Sequence, residues 1–300
     1  MPNSIQRVVY HADDIGASFN VTCRILEAWQ QGLLDGFSIF ANSYDFNEIT
    51  ERLKADKHRQ ARIGIHLNLW EGRSILAPQE IPQLVCKNGY FKVDFLSILK
   101  QYVKGTRKYK ELLVAEVERE WRAQIEKVLK EIEPRPLCVV DSHVHMHMLP
   151  FLFRVAVSLA KEYGIQEIRI VREPFYFSPR RTDLLSGHFA NNLVKHCILK
   201  FCSFPNTRLA KKAGVKYFDA MLGVLYSGMM NHDNIERGIW AANRRGAKSL
   251  EVLMHIGRAS RDELSRWGKD VEKASFALSV DRDQEYHELM HCQRVVKNEY

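Results

Sequence analysis

The chain is short of the features that mark secreted, membrane or nucleic-acid-binding proteins. Its six cysteines (Cys23, Cys86, Cys138, Cys197, Cys202 and Cys292) form no Cys-x-x-Cys pair, so they read as buried thiols of a reducing compartment and not as a disulfide framework. No apolar signal core precedes the first strand-like run. The longest apolar stretch, Leu149 to Ala160, contains Arg154 and is too short to span a bilayer. A soluble, cytoplasmic protein with no membrane span is the expectation. Charge of one sign is also scarce: 44 Lys and Arg against 36 Asp and Glu leave a net +8 over 300 residues, a modest excess. The most basic stretch, Lys100 to Lys110 with Lys104, Arg107 and Lys108, lacks the recurring aromatics of a nucleic-acid platform. It reads as a solvated loop or face, and no nucleic-acid partner is expected. There is no internal repeat, low-complexity segment or linker.

What remains is a chain that is 46% hydrophobic, enough for a sizeable core, in which strand and helix patterns alternate. Strands are expected at Arg7 to Asp14, Phe37 to Ala41, Ala61 to Leu69, Leu137 to His143, Ile165 to Val171, Val215 to Phe218 and Ser249 to Met254. Helices are expected at Asn20 to Gln31, Phe46 to Ala55, Glu111 to Glu131, Pro150 to Tyr163, Ile235 to Arg244 and Asp281 to Val296. Residues 70 to 95 read as a long irregular excursion, a lid or substrate wall, and residues 173 to 210 are mixed. This alternation predicts one α/β domain over residues 1–300, with a parallel sheet either open or closed into a barrel.

Several of these apolar runs end on ionisable groups, where parallel α/β sheets carry their active sites. Asp13 and Asp14 end the first. Adjacent carboxylates repel and stay ionised only beside a cation or donors, which suggests one as metal ligand and the other as base; a helix N-cap is the plainer alternative. His66 ends the third run, where a lone histidine is more often a satisfied core residue than a ligand. The run Asp141-Ser142-His143-Val144-His145-Met146-His147 is more specific. Its three histidines at period two would face one side if the strand persists. They would then form a facial metal site, or one would bind metal while the others line the pocket. His255 ends the seventh strand and offers a general acid. Arg169 and Arg172 end the fifth and would hold a polar or anionic part of a substrate, unless they pair with Glu173.

At these residues the chain resembles the YdjC-like carbohydrate deacetylases, the family that includes chitooligosaccharide deacetylase. The likeness lies in His11-Ala-Asp13-Asp14-Ile-Gly16, Gly64-Ile-His66-Leu-Asn-Leu and Asp141-Ser-His143-Val-His145-Met-His147-Met-Leu-Pro150, and it runs from about Val8 past His255. It implies an irregular (β/α) barrel of the polysaccharide-deacetylase kind. It also implies one divalent metal ion on Asp14, His66 and His143, with Asp13 as catalytic base and His255 as proton donor to the leaving amine. His145 and His147 then belong to the pocket or to the layer of groups behind the ligands, and Arg169 and Arg172 stay as candidates for holding the substrate. Two departures stand out. His11 and Ile15 replace the usual Asn and Phe of the first motif, and Ile256 replaces the proline that usually follows the last histidine.

Two imidazoles and a carboxylate suit zinc, while magnesium, manganese or cobalt remain compatible. The implied partner is a small N-acetylated sugar, on which Trp70, Tyr90 and Phe91 would stack unless they form a small core. Three rivals stand beside this reading. A metal-dependent phosphoesterase would place a second metal on His145 and His147. A non-catalytic sugar- or metal-binding relative would ignore Asp13→Asn. A nucleic-acid binder would show steep salt dependence. A homo-oligomer is left open.

Overall fold

Seven short β-rich runs become seven parallel strands in the computed structural model, which describes residues 5–55, 61–267 and 276–296. The strands are β1 (Arg7–Ile15), β2 (Gly36–Ile39), β3 (Arg62–Leu67), β4 (Val139–Ser142), β5 (Glu167–Ile168), β6 (Ala220–Leu222) and β7 (Ser249–Met254), in the order β5-β4-β3-β2-β1-β7-β6. All six pairings are parallel, as expected of near-continuous apolar strands covered by helices. The sheet is curled: Arg169, just past β5, reaches Asp13 of β1, Asp141 of β4 and Glu251 of β7 at 2.7, 3.0 and 3.1 Å. A parallel bridge between Glu167 and Lys216 links β5 to the chain leading into β6.

The helices are α1 (Phe19–Gln30), α2 (Phe46–Ala55), α3 (Phe95–Lys104), α4 (Arg107–Ile132), α5 (Pro150–Glu162), α6 (Arg181–Leu185), α7 (Gly187–Ala213), α8 (His232–Arg244), α9 (Arg261–Ser265) and α10 (Asp281–Val296). In α4, Leu113, Val117, Trp121, Ile125, Val128 and Ile132 are buried at helical spacing. The same helix carries a buried polar row, Glu116, Glu120 and Gln124, four residues apart and therefore on one face. These side chains accept from the backbone N–H groups of Gln83, of Ile75 and Leu76, and of Asn68. The irregular excursion after β3 is thus a wall fastened to α4, its exposed backbone donors satisfied by side chains.

Several expectations shift. The basic stretch is not a loop: it ends α3 and, after a Thr106 cap, starts α4. The mixed region is mostly α7. The strand expected over Ile165 to Val171 shrinks to two residues, and the one expected over Val215 to Phe218 to the bridge at Lys216, with β6 following it. The thiols are not uniformly buried: Cys86 and Cys197 are exposed, and the side chain of Cys292 lies outside the described residues. No described helix is long and apolar enough to cross a membrane.

Candidate metal centre and catalytic cleft

Neighbouring residues of a regular strand point to opposite faces, yet Asp13 and Asp14 line one cleft of about 310 Å³. They do so because β1 breaks its course there. Its register against β2 shifts between Ala12 and Ile15, and Asp14 adopts φ +73, a left-handed conformation that costs a non-glycine residue on the order of 1 kcal/mol or more. Gly16 then lets the chain pass Ser43, whose Cβ would lie 2.7 Å from any added methyl group.

Parallel strands bring the other groups to the same edge. His66, at the end of β3, is paired in register with Asp141 of β4. Asp141 accepts from His66 Nδ1 at 2.7 Å, which leaves His66 Nε2 facing Asp14 Oδ1 at 3.4 Å. His143 repeats this arrangement with its nitrogens exchanged. Its Nε2 meets Glu71 Oε1 at 2.8 Å, and its Nδ1 faces Asp14 Oδ1 at 3.3 Å. Glu71 is aimed by Asn68, whose carboxamide oxygen accepts from the backbone N–H groups of Trp70 and Glu71. Ligand atoms of Asp14, His66 and His143 all lie within 4.8 Å of one another, and Asp14 Oδ1 is buried with no hydrogen bond. An orphaned carboxylate oxygen and two imidazoles, each with its far nitrogen held by a carboxylate, is a donor set that fits a divalent ion.

The electrostatics agree. Burial alone would push His66 down, but Asp13 and Asp141, the facing Asp14 and the hydrogen bond to Asp141 push it up to about 10. Burial likewise opposes a charge on His143, and Glu71 and Asp14 raise it. Burial would raise Asp14, but the His143 and His66 imidazoles that face it and the Arg282 guanidinium hold it well below the carboxylate range. Without metal, the imidazole protons therefore occupy the ligand positions, and an ion must displace them. Metal uptake at pH 7 is expected to release at least one proton per ion, and affinity to climb as pH rises. Calorimetry in buffers of different ionisation enthalpy measures this directly, and uptake without proton release would contradict it.

Asp13 stands apart from the ligand set. Arg169 donates to its Oδ2 at 2.7 Å, while its Oδ1 is buried without a hydrogen bond. Burial outweighs Arg169 and pushes Asp13 up to about 6. Beneath it, His11, Asp13 and Asp141 form a second histidine–carboxylate group. Both nitrogens of His11 are already used, one by Arg62 and the other by Ser38. Arg169 supplies the cation that Asp13 and Asp141 need, so this inner group acts as a support for the cleft.

Of the residues singled out from the sequence, Asp13, Asp14, His66, His143, His145 and His255 line the cleft; His147, Arg169 and Arg172 do not. The period-two expectation fails because the strand ends at Ser142. The backbone turns through a 3-10 segment, His143–Met148, with Val144 and His145 at φ +48 and +56. His143 is thereby turned into the cleft and His145 into its wall. His147 is driven inward, where Ser142 Oγ and the Arg169 carbonyl engage its two nitrogens at 2.6 and 2.9 Å. Arg169 is fully buried below Asp13, away from any substrate. Arg172 opens on a separate pocket and reaches Asp219 at 4.0 Å. Its anticipated partner Glu173 instead caps the backbone N–H groups of Gly223, Val224 and Leu225.

His255 faces the cleft, with Ser227 Oγ at 3.5 Å from Nδ1 and Phe276 against its ring. Burial, helped by Arg282 and Lys195 and opposed by Asp14, holds it well below its ordinary value, so the ring is neutral. Trp70 stacks on His143 at 5.5 Å, while the Tyr90 hydroxyl meets that of Tyr44 and Phe91 packs against the core. The sequence reading missed Glu71, Lys195, Arg282 and Glu285. Arg282 donates to Asp14 Oδ2 at 3.1 Å, and Glu285 accepts from the backbone of Gly228, Met230 and His255. Removing Glu71 should free His143 to rotate: Glu71→Ala is expected to weaken metal binding about 10- to 100-fold with the fold intact. Metal titration checks this, and unchanged affinity would remove Glu71 from the account.

Comparison with known proteins finds relatives of this chain. A carbohydrate deacetylase from Oceanobacillus iheyensis is 33% identical over 159 residues, 53% of this chain and 63% of that protein. One from Geobacillus stearothermophilus is 33% identical over 165 residues and 59% of its length. One from Danio rerio is 26% identical over 315 residues, 96% of this chain and 93% of that protein. The chain thus matches about three fifths of the bacterial relatives' length and nearly all of the fish protein. A crystal structure from Enterococcus faecalis V583, described as that of a candidate cellobiose-phosphate cleavage protein, has the same fold: TM-score 0.68 at 21% identity, covering 98% of this chain and 95% of that one. The family model for YdjC-like proteins matches residues 7–294, from the start of β1 into α10, and the chain belongs to that family.

Proposed function

We propose that the chain is a metal-dependent N-deacetylase that releases acetate from an N-acetylated amino sugar or short chitooligosaccharide. The observation that carries this reading is the orphaned Asp14 oxygen between two carboxylate-backed imidazoles, with Asp13 lining the same cleft and one of its carboxylate oxygens also without a hydrogen bond. The relatives named carbohydrate deacetylases support the substrate class. The curled sheet is then read as a (β/α) barrel of the polysaccharide-deacetylase kind, in a cytoplasmic protein.

Asp14, His66 and His143 would hold one ion, with zinc suited by the imidazoles and magnesium, manganese or cobalt compatible. Such an ion supplies Lewis-acid polarisation of the acetamide carbonyl and a more acidic water. Asp13 is the base. Arg169 holds one of its oxygens still, and the free oxygen takes a proton from the attacking water. His255 borders the position of the leaving amine. Because its ring is neutral, the proton it passes on is the one Asp13 has taken from water. Trp70 offers a sugar face at the mouth. The phosphoesterase alternative needs His145 and His147 to share a second metal, and both nitrogens of His147 are engaged elsewhere.

The test is acetate release from diacetylchitobiose and a panel of N-acetylated sugars, by metal-stripped protein and after adding back Zn, Mg, Mn or Co. Metal-dependent release supports the reading. Retained metal with no release from any sugar rejects the substrate class.

A further inference from the structure

Among the described residues, five Asp, Glu, Lys and Arg side chains line the cleft: Asp13, Asp14, Glu71, Lys195 and Arg282. Four are matched: Asp13 with Arg169, Asp14 with Arg282, and Glu71 with His143. Lys195, from α7, has no hydrogen bond or ion pair among the described residues. It is half-buried, and burial disfavours its charge. An unpaired cation held in such a place is costly unless something negative joins it. A second observation points the same way. His145, 4% exposed, lines the same cleft with its Nδ1 unpartnered, and it stands in a left-handed backbone conformation that histidine adopts at a cost. Lys195 is among the charges that act most strongly on it. The cleft that holds the metal ligands therefore also presents a free ammonium and a free imidazole nitrogen.

The negative charge they await arises at the reacting end of the cleft, because Asp14 and Asp13 are the charges that act most strongly on Lys195. When water attacks an acetamide, a C–O bond forms, the carbonyl π pair moves onto its oxygen, and Asp13 takes the water proton. The C–N bond then breaks and that proton leaves with the amine. Between these events the former carbonyl oxygen bears a full negative charge. We propose that Lys195 is a catalytic residue whose ammonium contacts that oxygen and stabilises its developing charge, with His145 as a further polar contact to the substrate. This rests on the deacetylase reading.

The experiment compares wild-type, Lys195→Met and Lys195→Arg proteins, each loaded with one equivalent of metal, and in parallel titrates each metal-free protein with zinc alone. Lys195→Met is expected to lower kcat on the order of 100-fold with KM nearly unchanged, the signature of an interaction made only in the transition state. Lys195→Arg should recover part of the loss. Removing the ammonium also removes repulsion toward a dication, so zinc should bind Lys195→Met tighter by about 5-fold; this shift needs no substrate and shows that the variant is folded. A kcat within threefold of wild type overturns the inference, as does a loss confined to KM, which would mark a ground-state anion contact. If the wild-type protein releases acetate from no sugar, the deacetylase reading fails and this inference with it. An active wild type with an unimpaired Lys195→Met defeats the inference alone.

Discussion

Asp13→Asn is expected to cut kcat for acetate release by about a thousandfold, while leaving KM and metal stoichiometry nearly unchanged. The split follows from the geometry. Asp13 contributes no atom to the cluster of Asp14, His66 and His143, so the ion is still held. Asparagine keeps an oxygen for Arg169 to bond, so the strand end is not unravelled. What disappears is the free, buried carboxylate oxygen that receives the water proton. Activity within tenfold of wild type would mean that another group is the base. Loss of metal along with activity would place Asp13 among the ligands.

The second large effect concerns stability. Arg169→Met should destabilise the fold by about 3–5 kcal/mol, because it strands buried charges that had one common partner. Asp13, Asp141 and Glu251 all converge on Arg169, and all are almost completely buried. Arg169 is also what holds Asp141 far below the carboxylate range against a desolvation penalty. Without it, burial should carry Asp13 further above its unfolded value and leave Asp141 less depressed. Native protein then binds more protons than unfolded protein through the weakly acid range, so the variant's stability falls as pH rises. Denaturant titrations should therefore show a smaller deficit near pH 5 than near pH 8. A variant within 1 kcal/mol of wild type at both values would contradict the shared-partner role.

The parts of this site that follow from strand ends were legible in the sequence. Parallel strands deliver their C-terminal residues to one edge, so the sequence pattern alone groups Asp13, Asp14, His66 and His255. The triple-histidine run was legible as a site but not as a shape. Its reading assumed a strand, and the chain turns sharply after Ser142, so one histidine enters the cleft, one lines its wall and one is buried away from it. Arg169 carried the right chemistry for an anion, but its anions are the protein's own carboxylates. Nothing local flagged Glu71, Lys195 or Arg282, because each reaches the cleft through tertiary packing. Glu71 comes with a wall fastened to α4, Lys195 with α7, and Arg282 with a helix 268 residues beyond its partner Asp14. The pattern of α10 was visible in the sequence, but its partner was not.

The central claim is that a single ion at Asp14, His66 and His143 makes the cleft a deacetylase. The most direct measurement follows acetate release from diacetylchitobiose while metal-stripped protein is titrated with zinc, and in parallel with magnesium, manganese and cobalt. The account predicts that activity appears with at least one of these metals, rises linearly to one equivalent and then stays flat, and that His143→Ala abolishes the rise. Full activity in the stripped protein, or a rise that continues to two equivalents, would contradict it.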